Sequence, residues 1–309
     1  MLPYGGSRWR GGRKVFIYRK WSEGTLQVCE LSDGQGTKAR FGPARGGILT
    51  EFLVKGIPLL YLDRETLLDP NKNVRGGNPV LFPICGPLED GRYTLDGRQY
   101  EMKQHGLARN MRWEVADVAC SEASARITLK TASDAQTREA YPFDFSLSFT
   151  YLIEAGRITI EQRYLNNSPA DMPFYAGFHP YFYAPGAKAV YLNIPSGSYY
   201  DIKSGLTVEY NGKLNLNAQP ETNLVFTDLY ENRVSFDRTD GYRVTVKFDD
   251  SFRYIVLWNL QNKEFLCVEP WMGSNYDLNK EKARILKPGE ELSAVVSYSL
   301  SKSINWKTA

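Results

Sequence analysis

The chain has 309 residues, of which 42% are apolar, 24% charged and 13% aromatic, and its formal net charge is +3. That length can bury a full core, and near-neutral charge offers no clustered basic face for nucleic acid. No run of roughly 18 apolar residues marks a membrane span, no apolar leader opens the chain, and Cys29, Cys85, Cys120 and Cys267 form no Cys-x-x-Cys pair for zinc or redox chemistry. Four free thiols and no address signal make the cytoplasm the default compartment.

Taken in chain order, residues 1–20 read as a peripheral extension: the basic run from Arg8 to Lys20 is broken by Gly and Trp, which suits a solvated start. ETLLDPNK, near Glu65, is the one stretch that reads as helical, and Pro70 ends it. EDGRY at Glu89, LDGRQ at Leu95 to Gln99, EAGR at Glu154 and TDGY at Thr239 suit the positive φ of tight hairpin turns. Between them the dominant period is two. In FDFSLSFTY, Phe143, Phe145, Leu147, Phe149 and Tyr151 share one face; in ELSAVVSYSL, Leu292, Ala294, Val296, Tyr298 and Leu300 do the same. Ile127 and Leu129, Ile158 and Ile160, and Val244, Val246 and Phe248 repeat the pattern. YIVLWNL, from Tyr254, is apolar without alternation and reads as a strand buried on both faces. KPGEE at Lys287 turns the chain into its last long strand. The prediction is an all-β, antiparallel, single domain over 1–309, closed by a second sheet or into a barrel.

Several residues could carry chemistry. His179, one of two histidines, sits before Pro180 among Phe178, Tyr181, Phe182 and Tyr183. The proline favours extended backbone, and the imidazole is either a satisfied core group or a general acid. Glu269, in CVEPWMG, ends an apolar strand, on the side of Cys267 and opposite Val268. It is either a strand-end carboxylate or a general base. His105 and Arg109 lie in QHGLARN, and Arg75 opens RGGNPVLFP; singly, each arginine reads as a surface cation. Asp228, in TDLYEN, is the weakest candidate alone. No phosphate loop, dinucleotide fingerprint or nucleophile elbow is present, and two histidines with scattered cysteines do not make a metal site.

The ordered set RGGNPVLFPICGP, QHGLARN, AGFHPYF, FTDLYEN and CVEPW resembles the aldose 1-epimerase, or galactose mutarotase-like, superfamily. ARGGILTEFLVKGIPLLYLD and the closing LKPGEEL are similar to its opening strands and last turn. The resemblance runs from about Gly42 to Leu300. It implies a large antiparallel β-sandwich that interconverts sugar anomers without cofactor or metal. By motif it makes His179 the general acid and Glu269 the general base, sets His105 against the sugar and has Asp228 hold a hydroxyl. RGG-x-P and HGLAR resemble the glucose-6-phosphate 1-epimerase branch, whose equivalents of Arg75 and Arg109 contact the phosphate, whereas GFHPYF and VEPW are more similar to the branch acting on unphosphorylated sugars. The implied partner is thus a small sugar or sugar phosphate. Two other readings stand beside it: a non-catalytic carbohydrate-binding module, and a glycosidase, which needs a second carboxylate, with Asp228 the candidate.

Overall fold

The computed structural model describes residues 15–187, 189–216, 218–273 and 283–303. Among these, strands build two sheets of eight and one of five. The first large sheet runs in the order Ala189–Asn193, Arg233–Arg238, Tyr242–Phe248, Glu291–Lys302, Arg157–Asn166, Phe145–Glu154, Ser124–Ala132, Glu114–Cys120. The second runs Leu206–Glu209, Ser198–Asp201, Glu221–Phe226, Tyr254–Leu260, Phe265–Trp271, Gly177–Phe178, Val80–Leu81, with Tyr181–Tyr183 also paired to Phe265–Trp271. The five-stranded sheet carries Ile17–Glu23 at its edge, so the chain is already in a sheet before residue 20, where the sequence suggested a peripheral extension. Residues 1–14 of that extension lie outside the described residues.

The two large sheets face each other across an aromatic layer. Phe149 of the first meets Phe178 of the second at 5.9 Å, and Phe182 of the second meets Tyr298 of the first at 5.3 Å. Phe82, just after Val80–Leu81, packs on Phe145 at 4.9 Å and on Tyr164 at 5.9 Å. This decides for a sandwich over a barrel. Strand Phe145–Glu154 alternates buried and half-buried residues along its whole length, as its period predicts. Each aromatic side chain taken fully out of water stabilises the fold by roughly 1.5–3 kcal/mol before entropy is counted.

Turn chemistry sets the hairpins. Asp96 and Gly97, with φ of 49° and 75°, close the hairpin between Arg92–Leu95 and Arg98–Glu101. Glu89–Gly91 differs from its expectation: it is a 3-10 turn leading into a strand, not a hairpin loop. The expected helix is present at Arg64–Leu68 and stops before Pro70. A second helix, Ala135–Ala140, was not expected; Asp134 and Thr137 form a reciprocal capping box that starts it. YIVLWNL is largely buried, but Trp258 is half-exposed to a cavity described below. No helix among the described residues is long and apolar enough to cross a membrane.

Candidate active site

The site is built on one face of the second large sheet. In strand Phe265–Trp271 the period of two sends Leu266 and Val268 into the main core and leaves Cys267 and Glu269 on the other face. Register then sets Glu269 opposite Val256, Cys267 opposite Trp258 and also Tyr181 opposite Cys267. His179 lies in the short link between Gly177–Phe178 and Tyr181–Tyr183, and its backbone N–H donates to the Pro79 carbonyl at 3.1 Å. Tyr181 stacks on its ring at 4.7 Å with 9° between planes.

The imidazole and carboxylate therefore meet. His179 Nε2 lies 3.5 Å from Glu269 Oε1, with side-chain exposures of 12% and 1%. Glu269 Oε2 accepts a hydrogen bond from Trp271 Nε1 at 3.2 Å. They open on a cavity of about 330 Å³ that His105, Arg75 and Arg109 also line, within the usual range of small-molecule sites of roughly 300–1,000 Å³. Tyr181, Trp258 and Trp271 supply its aromatic walls.

The second histidine is held in one tautomer. His105 has a positive φ of 67°, and it exchanges two bonds with Gly86. Its backbone N–H donates to the Gly86 carbonyl at 2.9 Å, and the Gly86 N–H donates to His105 Nδ1 at 3.0 Å. Burial, with His179 and Arg109 nearby, keeps this ring neutral well below the ordinary histidine value. A neutral ring accepting at Nδ1 carries its proton on Nε2. The following turn is pinned to Phe82, whose carbonyl accepts from Leu107 and Ala108. A Cβ on Gly106, at φ +71°, would stand 2.4 Å from that carbonyl oxygen. Gly106→Ala is thus expected to destabilise the protein by about 3 kcal/mol, through backbone strain and collision. Thermal melting checks this, and an unchanged midpoint would contradict it.

Burial shifts both members of the His179–Glu269 pair. Removal from water, aided by Arg109 and Arg75, lowers the His179 pKa to about 3. Burial raises Glu269 well above the carboxylate range, against the Trp271 N–H and Arg109, which lower it. Both shifts disfavour the charged forms, whereas the acid and base that the motif implies are imidazolium and carboxylate; the neutral and the ionised pair carry the same number of protons.

Both arginines line the cavity; Arg75 is exposed, as the sequence suggested, whereas Arg109 is half-buried. Burial depresses the Arg109 pKa, and this guanidinium makes no ion pair among the described residues. Arg75 stands over the Trp258 indole, 6.0 Å from its centroid. Helix Arg64–Leu68 holds it there, because its N–H donates to Thr66 Oγ1 at 2.9 Å. Asp228, expected to hold a sugar hydroxyl, is not brought to the cavity. It is exposed and accepts from Ser196 Oγ, from the Gly197 N–H at 3.2 Å and from Ser198 Oγ at 3.5 Å. Burial pushes its pKa up, and these bonds more than reverse the effect. Its carboxylate is occupied in tying a local turn. Sequence reasoning missed Glu221 and Asn223, which line the cavity in its place; their spacing of two, at the polar start of ETNLVF, was the available signal.

His179, Cys267 and Glu269 offer donor atoms within 4.8 Å of one another, a nitrogen, sulfur and oxygen set of the kind zinc accepts. Burial pushes the Cys267 thiol well up, so that group and Glu269 would both shed protons to ligate. All four cysteines are free thiols.

Comparison with known proteins agrees with this architecture. The protein Slr1438 from Synechocystis sp. PCC 6803 superposes with a TM-score of 0.85 at 35% identity, covering 98% of this chain and 100% of that one. LacX, chromosomal, from Lactococcus lactis subsp. lactis is 25% identical over 255 residues, which is 74% of this chain and 83% of LacX. A protein of Salmonella typhimurium strain LT2, provisionally named glucose-6-phosphate 1-epimerase, is 27% identical over 115 residues, 37% of this chain and 36% of its own. The family model described as aldose 1-epimerase matches residues 27–299. That match spans the site strands and the facing sheet alike, and the chain belongs to the aldose 1-epimerase family.

Proposed function

We propose that this protein interconverts the α and β anomers of a free hexose, with Glu269 as base and His179 as acid. The observation that carries this reading is the 3.5 Å approach of His179 Nε2 to Glu269 Oε1 beside a sugar-sized cavity. A sugar hydroxyl donating to Glu269 joins the Trp271 N–H in favouring the carboxylate, and the proton passes to the imidazole. Glu269 then takes the proton of the C1 hydroxyl, and His179 gives its proton to the ring oxygen as the C1–O5 bond breaks. Rotation about C1–C2 turns the aldehyde over. On closure the imidazole takes the proton back from O5, and Glu269 returns its own to O1. The atoms balance with no cofactor. His105 Nε2–H donates to a hydroxyl oxygen, and the apolar faces of the ring pack on Trp258 and Tyr181.

The active form carries one proton on the pair. Activity is therefore lost on adding a second proton, toward the low His179 value of about 3, or on removing the first, above the raised Glu269 value. Buffer-corrected polarimetry is expected to show no acid-side loss of kcat/KM at the ordinary histidine value near ~6.5, the acid limb lying well below it. An acid limb centred there would contradict it.

Arg75 and Arg109 favour a second substrate class within the same chemistry, a hexose phosphate. The half-buried Arg109, without an ion-pair partner among the described residues, is the supporting observation. Sugar binding without any rate acceleration would instead favour a binding module. Asp228, the carboxylate the glycosidase reading required, lies outside the cavity.

A further inference from the structure

We propose that Glu221 sets the substrate class of this cavity: its carboxylate takes a hydrogen bond from a sugar hydroxyl and repels a phosphoryl group. The site thereby favours an unphosphorylated hexose even though two arginines line it. This proposal rests on anomer exchange at the site.

Glu221 begins strand Glu221–Phe226, and Asn223, two residues on, shares its face and pairs directly with Trp258. Trp258 Nε1 donates to Glu221 Oε1 at 2.6 Å, which fixes the carboxylate at the edge of the indole. Its second oxygen has no hydrogen-bond partner among the described residues and can accept one from a ligand. Arg75 stands over that same indole, and His179 meets it edge-on at 5.6 Å. One ring thus positions an anion, a cation and the imidazole of the proton pair.

Register gives the direction. Val225, Val256 and Glu269 lie side by side on successive strands, so the strand of Glu221 is two strands from Glu269. Adjacent strands lie about 4.8 Å apart, and Glu221 is a further four residues along its strand from Val225, so its backbone is roughly 10 Å from that of Glu269 across the sheet and roughly 13 Å along it. Glu221 therefore stands at the end of the cavity far from Glu269, facing the part of a sugar away from C1. There a hydroxyl gains a charge-assisted bond, whereas a phosphoryl group of about −1.5 to −2 charge is repelled. Glu221 offsets one of the two arginine charges, and salt screens the effect because the carboxylate is exposed.

Glu221→Gln separates these effects. The amide oxygen still accepts from Trp258, while the charge is gone. Polarimetry on glucose and glucose 6-phosphate, at low and at raised ionic strength, reads the outcome. The KM for glucose is expected to rise about tenfold. The KM for glucose 6-phosphate is expected to fall by a few-fold at low salt, with the fall shrinking as salt is added. The change should lie in KM more than in kcat. Shifts of both KM values in one direction, or no shift, would overturn the proposal. If the unmodified protein accelerates neither sugar, the reading of the site itself fails, a result distinct from these.

Discussion

Glu269→Gln is expected to lower kcat/KM for hexose mutarotation by about 10²–10⁴, the range typical of a positioned proton-transfer group. Gln has the same shape and still accepts from Trp271, so the cavity is conserved while the base is gone. The effect on stability should run the other way. The folded Glu269 pKa is raised above its unfolded value, so the native state binds this proton more tightly. Stability then declines as pH rises from the ordinary carboxylate value through the raised one. Gln removes that dependence, and the variant should melt no lower than the parent at alkaline pH. Activity lost with melting unchanged or improved is the signature of a functional group kept at some expense to the fold. A variant that kept its rate would show that Glu269 is only a buried strand residue.

His179→Asn should lower kcat/KM by a similar factor, about 10²–10⁴. Because the two groups serve one proton exchange, the double variant with Glu269→Gln should be little slower than either single one. Multiplying losses would mean that the residues act independently. The linkage for His179 has the opposite sign to that of Glu269. Its folded pKa of about 3 lies below the unfolded value, so the native state loses stability as pH falls from near ~6.5 toward that value. Asn should remove this acid sensitivity. Melting temperatures across the acid range, compared with the parent, check the sign.

Much of the fold was legible because a sheet writes its period into the chain. Phe145, Leu147, Phe149 and Tyr151 alternate in sequence and are all buried in the structure. The helix Ala135–Ala140 escaped because six residues are too few for a helical period, and its signal is one capping box. The site was legible by a different route. His179 and Glu269 are distant in the chain, and the pairings of Gly177 and of Tyr181–Tyr183 with strand Phe265–Trp271 bring them together. No local pattern encodes those pairings; the ordered motifs did. Asp228 and Glu221 show where motifs stop. Both are exposed carboxylates in the same stretch, but a serine and glycine turn takes up Asp228, and the Trp258 N–H takes up Glu221. Which carboxylate faces a cavity depends on register, and register is set by the neighbouring strands.

The most direct measurement is the optical rotation of freshly dissolved α-glucose and α-galactose followed with increasing amounts of the protein and, in parallel, of its Glu269→Gln form. Rates that rise in proportion to the unmodified protein, with the variant close to buffer alone, are the predicted result. Rates indistinguishable from buffer with both sugars and with glucose 6-phosphate, or equal rates for the two proteins, would contradict anomer exchange by His179 and Glu269.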